Sequence, residues 1–329
     1  MTTPVVLDGN SLTLDDVYAV AVARTPVSLA PAARDKANES RRHVEGIVAR
    51  GEVAYGVTTG FGKLSDVSIP ADRLAELQVN LVRSHTVGVG DLLPERVVRA
   101  MMLLRANVIA KGLSGARPAL AELLIGMLNT GLYPPVPEQG SVGASGDLAP
   151  LAHLALSMIG EGDLCHGDKR GPAAAMLGAH TLTPVVLGPK EGIALINGTQ
   201  AHTAIAALAI TDAHRLWDVA HVAGAMSLEA LKGTPVAFDE RIHEARGQIG
   251  QVASAAVFRA LLVDSEIRES HRHGDARVQD PYSLRCMPQV HGPVLDAILF
   301  AEGVVSRELN AATDNPLVFE GGELVSGGN

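Results

Sequence analysis

The sequence predicts a mostly α fold, a bundle of long helices preceded by a small mixed N-terminal part. From Thr199 to about Leu231 no helix breaker occurs until Lys232-Gly233-Thr234-Pro235, so we expect one helix of about 30 residues, or ~48 Å at 1.5 Å per residue. Over 120–128 the apolar residues follow the spacing i, i+3, i+4, i+7 and i+8, which is typical of an amphipathic helix. Helices of this kind favour a bundle.

The other elements are predicted from local signals in chain order. Residues 5–7 form a short apolar strand closed by the turn pair Asp8-Gly9. Thr13, with Asp16 three residues later, is the pattern of a capping box that begins a helix. Further helices are predicted over 94–112 with Pro94 at the first position, over 120–131, from an N-cap at Asp147 onward, and over 250–269 and 293–310, and further strands over 184–188 and 317–325.

The composition excludes several classes of protein. Of 329 residues, 47% are apolar and 19% are charged, which is too apolar for a disordered tail. The 27 basic and 36 acidic side chains give a net charge of −9 without a long run of either sign, which argues against a nucleic-acid partner. Cys165 and Cys286 are too far apart for a Cys-x-x-C motif, so neither a disulfide scaffold nor a zinc knuckle is expected.

Two segments bear on localisation. Residues 192–211 lack charge and are long enough to span a bilayer, but Asn197, Gln200 and His202 within them favour a buried helix of a soluble protein. The N-terminal residues 1–10 show neither the basic nor the apolar region of a signal peptide. We therefore expect a cytoplasmic protein without membrane contact.

The segment 140–150, Gly-Ser-Val-Gly-Ala-Ser-Gly-Asp-Leu-Ala-Pro, is the most informative stretch of the sequence. Taken alone, it is typical of a flexible connector between a proline-rich loop and a helix. A nucleophile elbow requires G-x-S-x-G, and Asp147 stands where the last glycine belongs. A phosphate-binding loop requires a lysine and then Ser or Thr after Gly146, and neither is present. A third possibility is that Ala144-Ser145-Gly146 cyclises on itself.

Further motifs occur in order along the chain. These are Tyr55-Gly-Val-Thr-Thr-Gly-Phe-Gly62, Ser84-His85 with Gly88 and Gly90, Asn197-Gly-Thr-Gln200, the run from Gln279 to Gly292 that contains Tyr282 and Arg285, and Glu308-Leu-Asn310 with Thr313-Asp-Asn-Pro316. Together with the Ala-Ser-Gly segment, they resemble the histidine and phenylalanine ammonia-lyase family over the whole chain.

The resemblance implies a built-in electrophile, 4-methylidene-imidazol-5-one, formed autocatalytically from Ala144-Ser145-Gly146 with no external cofactor. The residue types suit this chemistry. Gly146 lacks a Cβ, so its backbone nitrogen can approach the Ala144 carbonyl carbon, and Ser145 carries a hydroxyl that can leave as water. Because no natural side chain is electrophilic, proteins usually borrow a cofactor to remove an amino group from an amino acid.

The resemblance also implies roles for residues outside this tripeptide. Asn197 is expected to contact the electrophile. Tyr55 is the expected base for the β-hydrogen and Tyr282 an orienting group. A phenol whose pKa is lowered by its neighbours can act as such a base, and the sequence alone leaves both tyrosines open for that role.

Substrate binding is assigned to His85, Gln279 and Arg285. Arg285 suits bidentate pairing with an α-carboxylate, with an ordinary salt bridge as the alternative, and Gln279 belongs to the same motif. Ser84-His85 resembles the histidine-specific pattern, in which the imidazole exchanges a hydrogen bond with a substrate imidazole. The alternative is a plain helix-end histidine. No metal is predicted, because no Cys or acidic residue completes a ligand set around His271-x-His273.

By resemblance, the chain is expected to convert L-histidine to urocanate and ammonia. The alternatives are an aromatic amino acid aminomutase, which shares the electrophile, and an inactive truncated fragment. The family also implies a homotetramer whose active sites form where three subunits meet. We expect an N-terminal domain over 1–196 and the start of a central long-helix domain over 197–329. Since family chains continue past this point into further helices, a C-terminal truncation is expected.

Overall fold

The computed structural model describes residues 3–143 and 146–327, and helices make up 58% of it, which confirms the predicted mostly α class. The helices are α1 (Leu14–Ala21), α2 (Pro31–Ala49), α3 (Leu74–His85), α4 (Glu95–Ala110), α5 (Pro118–Thr130), α6 (Leu148–Met158), α7 (Ala173–Ala179), α8 (Glu191–Ile196), α9 (Gln200–Ala230), α10 (Glu240–Arg246), α11 (Ile249–Leu261), α12 (Glu266–Ser270), α13 (Tyr282–Arg285) and α14 (Met287–Glu308).

The strands of the described residues are short and form two-stranded pairs. They are β1 (Val5–Leu7), β2 (Val27–Leu29), β3 (Val89–Leu92), β4 (Pro137–Gln139), β5 (Asp163–His166), β6 (Lys169–Pro172), β7 (Leu317–Val318) and β8 (Leu324–Val325). The pair β1–β2 is parallel, and β3–β4, β5–β6 and β7–β8 are antiparallel.

The chain packs into two compact units. The first combines Met1–Leu208 with Val305–Asn329, and the second is Ala209–Val304. The long helices α9 and α14 therefore each contribute residues to both units. The units are defined by packing and differ from the predicted domains 1–196 and 197–329, which stay a prediction.

The core of the first unit is organised around α4, which is buried along almost its whole length and packs against α1 and α5. Met101, Met102 and Leu104 are at most 1% exposed. Burial of a large apolar side chain stabilises a fold by about 1.5–3 kcal/mol, so this helix is a main source of the unit's stability. The second unit has a smaller core, in which the rings of Phe238 and Phe258 stack at 4.8 Å.

Several predictions from local signals are confirmed. The strand at 5–7 is β1, and Thr13 and Asp16 form the reciprocal capping box of α1. Helix α5 ends at Gly131, whose φ of +76° is the left-handed conformation that glycine adopts without strain. The long helix predicted from Thr199 is α9, which covers Gln200–Ala230.

Other predictions are wrong in detail. Pro94 precedes the first turn of α4 as its N-cap. The segment 250–269 divides into α11 and α12, because Asp264 has a left-handed φ of +55° and the Ser265 hydroxyl caps a new helix. The segment 184–188 is no strand, since in the described residues no ladder partner pairs with it.

Helix α14 begins at Met287, six residues before the predicted start at Pro293, which lies inside the helix. A Cβ added to Gly292 would overlap the backbone of Gln251, so this turn of α14 packs closely on α11. The internal proline thus lies next to a turn that is held by tertiary packing.

One segment, Glu191–Ala230, has a stretch long and apolar enough to cross a membrane by length and composition alone. Within the structure, 72% of that stretch is buried. Such burial is typical of the core helix of a water-soluble protein, which agrees with the interpretation of 192–211 from the sequence.

Candidate active site

Gly146, the last residue of the predicted electrophile, is buried and has a φ of +83°. A Cβ at this position would overlap the carbonyl oxygen of Gly198, so only glycine fits. Gly143 and Gly146 are joined by an isolated antiparallel bridge, which brings together the backbone on either side of 144–145. Ala144 and Ser145 themselves lie outside the described residues.

Asp147 connects this loop to the start of α9. Its backbone N–H donates to Gly198 O at 2.6 Å. Its buried carboxylate accepts hydrogen bonds from the backbone N–H groups of Ala201 at 2.8 Å and His202 at 3.0 Å, and from the Ser141 hydroxyl at 2.8 Å. Asp147 is therefore the residue before α6, as predicted, but its side chain satisfies the free N–H groups of α9.

The turn between α8 and α9 contains Asn197, which is 6% exposed. Its side-chain amide donates to Asn315 O at 3.3 Å. Gln200, at the first position of α9, donates to the Thr313 hydroxyl at 2.8 Å. The predicted contact residue of the electrophile is thus held by the loop 313–316 on one side and lies next to Gly198 on the other.

A buried ion pair joins the loop 313–316 to Lys190, the residue before α8. Lys190 Nζ lies 2.7 Å from Asp314 Oδ2, and both side chains are fully buried. Burial lowers the pKa of Lys190, and the Asp314 charge acts against this shift. Breaking a buried pair by removing one partner usually costs several kcal/mol, about 3–5, because the other charge stays uncompensated.

Tyr55 lies near Pro316, the last residue of this loop. Gly56 has a φ of +72°, and a Cβ there would lie 3.2 Å from Pro316 Cδ and 3.8 Å from Ile193 Cγ2. The Tyr55 ring is half-buried and meets Phe61 edge to face at 6.4 Å between centroids. It borders a cavity of about 350 Å³ that Pro316 and Ser326 also line.

His85 ends α3, where its Nδ1 donates to Leu81 O at 2.9 Å. A carbonyl oxygen only accepts, so Nδ1 carries the proton and Nε2 of the neutral ring is an acceptor. No described residue forms a hydrogen bond with Nε2 in this structure. His85 therefore does make a helix-end contact through Nδ1, and this contact leaves Nε2 available to a ligand.

The chain after His85 packs against the loop that leads to the predicted electrophile. Strand β3 pairs with β4, and a Cβ on Gly140 would lie 3.1 Å from Gly88 Cα. The Gly88 N–H donates to His153 Nε2 at 3.1 Å. Gly140 precedes the predicted electrophile and His153 belongs to α6, which follows it. These contacts therefore join the chain on both sides of 144–146 to the segment after His85.

We predict that the His153 contact makes stability depend on pH. Burial lowers the pKa of His153 from its ordinary 6.5, because the charged ring loses its hydration there. The Gly88 N–H donates to Nε2, so this contact requires the neutral ring. A lowered pKa means that the unfolded state binds more protons, so this contribution is complete above pH 6.5 and disappears as the pH falls through the folded-state pKa.

Thermal unfolding tests this expectation. The loss of Tm on His153→Phe should be several degrees at pH 8 and smaller at pH 5, whereas the same change at the exposed His273 should have little effect at either pH. An equal loss at both pH values for His153→Phe would show that the proton on this ring does not matter.

The remaining predicted site residues form a cluster in the second unit. Arg285 Nε donates to Asp280 O at 2.7 Å, and Nη2 donates at 2.7 Å to the Gln279 amide oxygen when that oxygen faces the guanidinium. The guanidinium carbon lies 4.5 Å from the centroid of the Tyr282 ring, which is 74% exposed. No acidic side chain of the described residues lies within 4.0 Å of this guanidinium, so the ordinary salt bridge is not observed.

The predicted site residues thus form two groups. His85, Gly146, Asn197 and Tyr55 belong to the first unit, and Gln279, Tyr282 and Arg285 belong to the second. Their assigned roles stay predictions. Sequence reasoning missed Arg105 and Lys190. Each is a charged residue next to an apolar run, and this pattern could have indicated a buried charge.

Comparison with known proteins identifies the class. The family model described as aromatic amino acid lyase matches residues 12–329, so the chain belongs to the aromatic amino acid lyase family. Curated relatives include the histidine ammonia-lyases of Anaeromyxobacter sp. (strain K), 54% identical, and Koribacter versatilis (strain Ellin345), 52% identical, each aligned over 98% of this chain. The chain spans about 65% of the length of each of these relatives.

Solved structures support the same family. Histidine ammonia-lyase from Trypanosoma cruzi is 40% identical, with a TM-score of 0.89 over 99% of this chain and 61% of its own. Tyrosine aminomutase from Streptomyces globisporus is 38% identical, with a TM-score of 0.92 over 99% of this chain and 65% of its own. The predicted family and helical fold class are confirmed.

Proposed function

We propose that the protein eliminates ammonia from L-histidine to give urocanate, with an electrophile made from its own Ala144-Ser145-Gly146. The observation that supports this most directly is the contact of Gly146 with Gly198 O, which leaves no space for a side chain at the end of the tripeptide and places it against the residue after Asn197. The identity of about half of all residues to histidine ammonia-lyases supports the substrate.

The residues around the tripeptide fit a ring formed from it. Gly146 has a left-handed backbone that residues with a Cβ rarely adopt, and an antiparallel bridge joins Gly143 and Gly146 on either side of the tripeptide's first two residues. Asn197, buried beside Gly198, would hold the oxygen of the ring by its amide. When formed, the methylidene ring supplies an electrophile that no natural side chain provides.

Elimination requires that a proton leaves Cβ and that the amino group leaves Cα with the bonding electron pair, so that a double bond forms between the two carbons. Tyr55 would accept the β-proton on its phenolate oxygen. It is half-buried, borders a cavity and lies next to the loop that also holds Asn197. Tyr282 would orient the substrate from the second group of residues.

Arg285 would bind the substrate carboxylate. Its guanidinium has no acidic partner among the described side chains, and Gln279 and Tyr282 fix it in one orientation. A pre-positioned guanidinium loses little conformational freedom when it binds a carboxylate, and its planar donors match the two oxygens. Gln279 would thus act on the substrate side together with Arg285.

His85 would recognise the substrate imidazole, because its unpaired Nε2 can accept the N–H of that ring. We predict that His85→Phe reduces kcat/KM for L-histidine by about 100-fold or more, since a site built around a hydrogen bond discriminates strongly against its loss. The Tm should change little, as His85 is only half-buried. An unchanged kcat/KM would rule out this role.

The alternative function is that of an aromatic amino acid aminomutase. It is favoured by the similarity to the tyrosine aminomutase structure, which has the higher TM-score of the two neighbours. An aminomutase returns the amino group to Cβ, so its product is a β-amino acid, whereas a lyase releases urocanate and free ammonia in equal amounts. Product analysis after incubation with L-histidine separates the two, and a β-amino acid as the main product would contradict our proposal.

We further infer a cytoplasmic homo-oligomer, a tetramer by family resemblance, that takes a free amino acid and has no nucleic-acid or membrane partner. Exposed apolar residues on α9 and α14, including Leu216, Val219 and Phe300, support an oligomer, because soluble monomers seldom expose such side chains in numbers. Light scattering of the purified protein tests the oligomeric state.

A further inference from the structure

Arg105 is a fully buried arginine in the C-terminal half of α4. Its Nη1 donates to Ala194 O at 2.6 Å, and its Nη2 donates to Asn197 O at 3.1 Å and to the Gln200 side-chain oxygen. Burial lowers its pKa to about 10, so it stays charged at neutral pH. No acidic side chain of the described residues lies within salt-bridge distance, and Asp147 and Asp314 balance its charge only from farther away.

The acceptors of Arg105 surround a single turn. Ala194 belongs to α8, Asn197 is the residue after that helix, and Gln200 begins α9. Carbonyl groups at the end of a helix lack intrahelical partners, and a buried cation can satisfy them. Arg105 therefore fixes the path of the backbone through Asn197 and Gly198 from the α4 side.

Close packing connects this guanidinium to the predicted electrophile. A Cβ on Gly198 would overlap Arg105 Nη2 and the Gln200 side-chain oxygen, and a Cβ on Gly146 would overlap Gly198 O. The backbone of Gly198 thus lies between Arg105 and Gly146, and neither Gly198 nor Gly146 has space for a side chain. A shift of the guanidinium would therefore displace Gly198 and its hydrogen bond to Asp147.

We propose that Arg105 is a positioning residue, which holds Asn197 and Gly198 against Gly146 and so sets both the cyclisation of 144–146 and the orientation of the Asn197 amide. The inference rests on the proposed function, since it concerns the same site. Arg105 does not contact the substrate in this account and acts through the turn 197–198.

The chain offers a matched control in Arg99. It lies on the same helix and is 1% exposed, and its guanidinium likewise donates to main-chain oxygens, those of Leu128 at 3.2 Å and Val20 at 2.9 Å. Neither acceptor belongs to the turn 197–198. The substitutions Arg99→Lys and Arg105→Lys therefore remove equivalent buried guanidinium groups, one away from the predicted site and one next to it.

The experiment measures ring formation and turnover separately. Peptide mass spectrometry gives the fraction of chains that have lost two waters from 144–146, and kcat is then expressed per ring-containing chain. For Arg105→Lys we expect slower ring formation and a normalised kcat lower by about 10- to 100-fold, with KM for L-histidine nearly unchanged. Arg99→Lys should lower Tm by a similar amount without either change.

A second variant guards against misfolding of Arg105→Lys. Gln200→Met removes one acceptor of the guanidinium and keeps both main-chain acceptors, and it should lower ring formation and normalised kcat in the same direction by a smaller factor. Full ring formation and normal kcat in both variants, or equal losses in Arg99→Lys, would overturn the inference. If the unsubstituted protein itself loses no water from 144–146, the proposed function fails first.

Discussion

Replacing Ser145 by alanine is expected to abolish ammonia elimination and to leave the fold intact. The substitution removes the hydroxyl that must leave as water during cyclisation, while the small side chain still fits a loop of small residues. Without the electrophile the amino group has no route to become a good leaving group, so urocanate formation should fall to the background. The absorbance of urocanate, followed over hours, measures the loss of activity. Circular dichroism of the variant tests whether the fold is intact.

Ser141→Ala is the matched control for this variant. Ser141 lies in the same loop and donates to Asp147 at 2.8 Å, so its loss should cost about 1 kcal/mol of stability and leave the tripeptide unchanged. Near-normal urocanate production by Ser145→Ala would contradict the assignment of the electrophile to 144–146.

Arg285→Met should produce the second largest loss. Removing one partner of a charge pair that binds a ligand usually costs about 2–5 kcal/mol, or about 30- to 4,000-fold in kcat/KM at 1.4 kcal/mol per factor of ten. Most of the loss should appear in KM, because the carboxylate is bound in the ground state and the transition state alike. Steady-state kinetics with L-histidine measure both constants.

Arg272→Met provides the control, since Arg272 is an exposed arginine of the same unit that pairs with Glu269 at 3.1 Å. Surface pairs of this kind contribute little, so kinetics and stability should both stay close to those of the unsubstituted protein. If Arg285→Met behaves like Arg272→Met, the guanidinium that stacks on Tyr282 does not bind substrate.

Local features of the fold were predictable where neighbouring residues determine them. The capping box of Thr13 and Asp16 and the helix stop at Gly131 depend on interactions within a few residues, and both are observed. The start of α14 at Met287 was not predictable, because Pro293 lies inside the helix, at a turn where Gly292 packs closely on Gln251 of α11. Proline rules describe the isolated segment and not its neighbours.

The candidate site divides in the same way. Motifs in the sequence indicated the residues Tyr55, His85, Asn197 and Arg285. The contacts that hold them join residues far apart in sequence, such as Arg105 to Gln200 and Lys190 to Asp314, and no spacing rule predicts such pairs. Asp147 was correctly placed before α6, but the helix that its carboxylate caps is α9, which only the tertiary structure brings close.

The central claim, that Ala144-Ser145-Gly146 becomes the electrophile, is tested most directly by the mass of the peptide that contains these residues. The unsubstituted protein is digested under non-reducing conditions, and the peptide is compared with the same peptide from Ser145→Ala. Our account predicts that the unsubstituted peptide is lighter than its sequence mass by two water molecules, with the modification confined to 144–146, and that the Ser145→Ala peptide has its full sequence mass. An unsubstituted peptide at its full sequence mass, from protein that forms urocanate, would contradict the account.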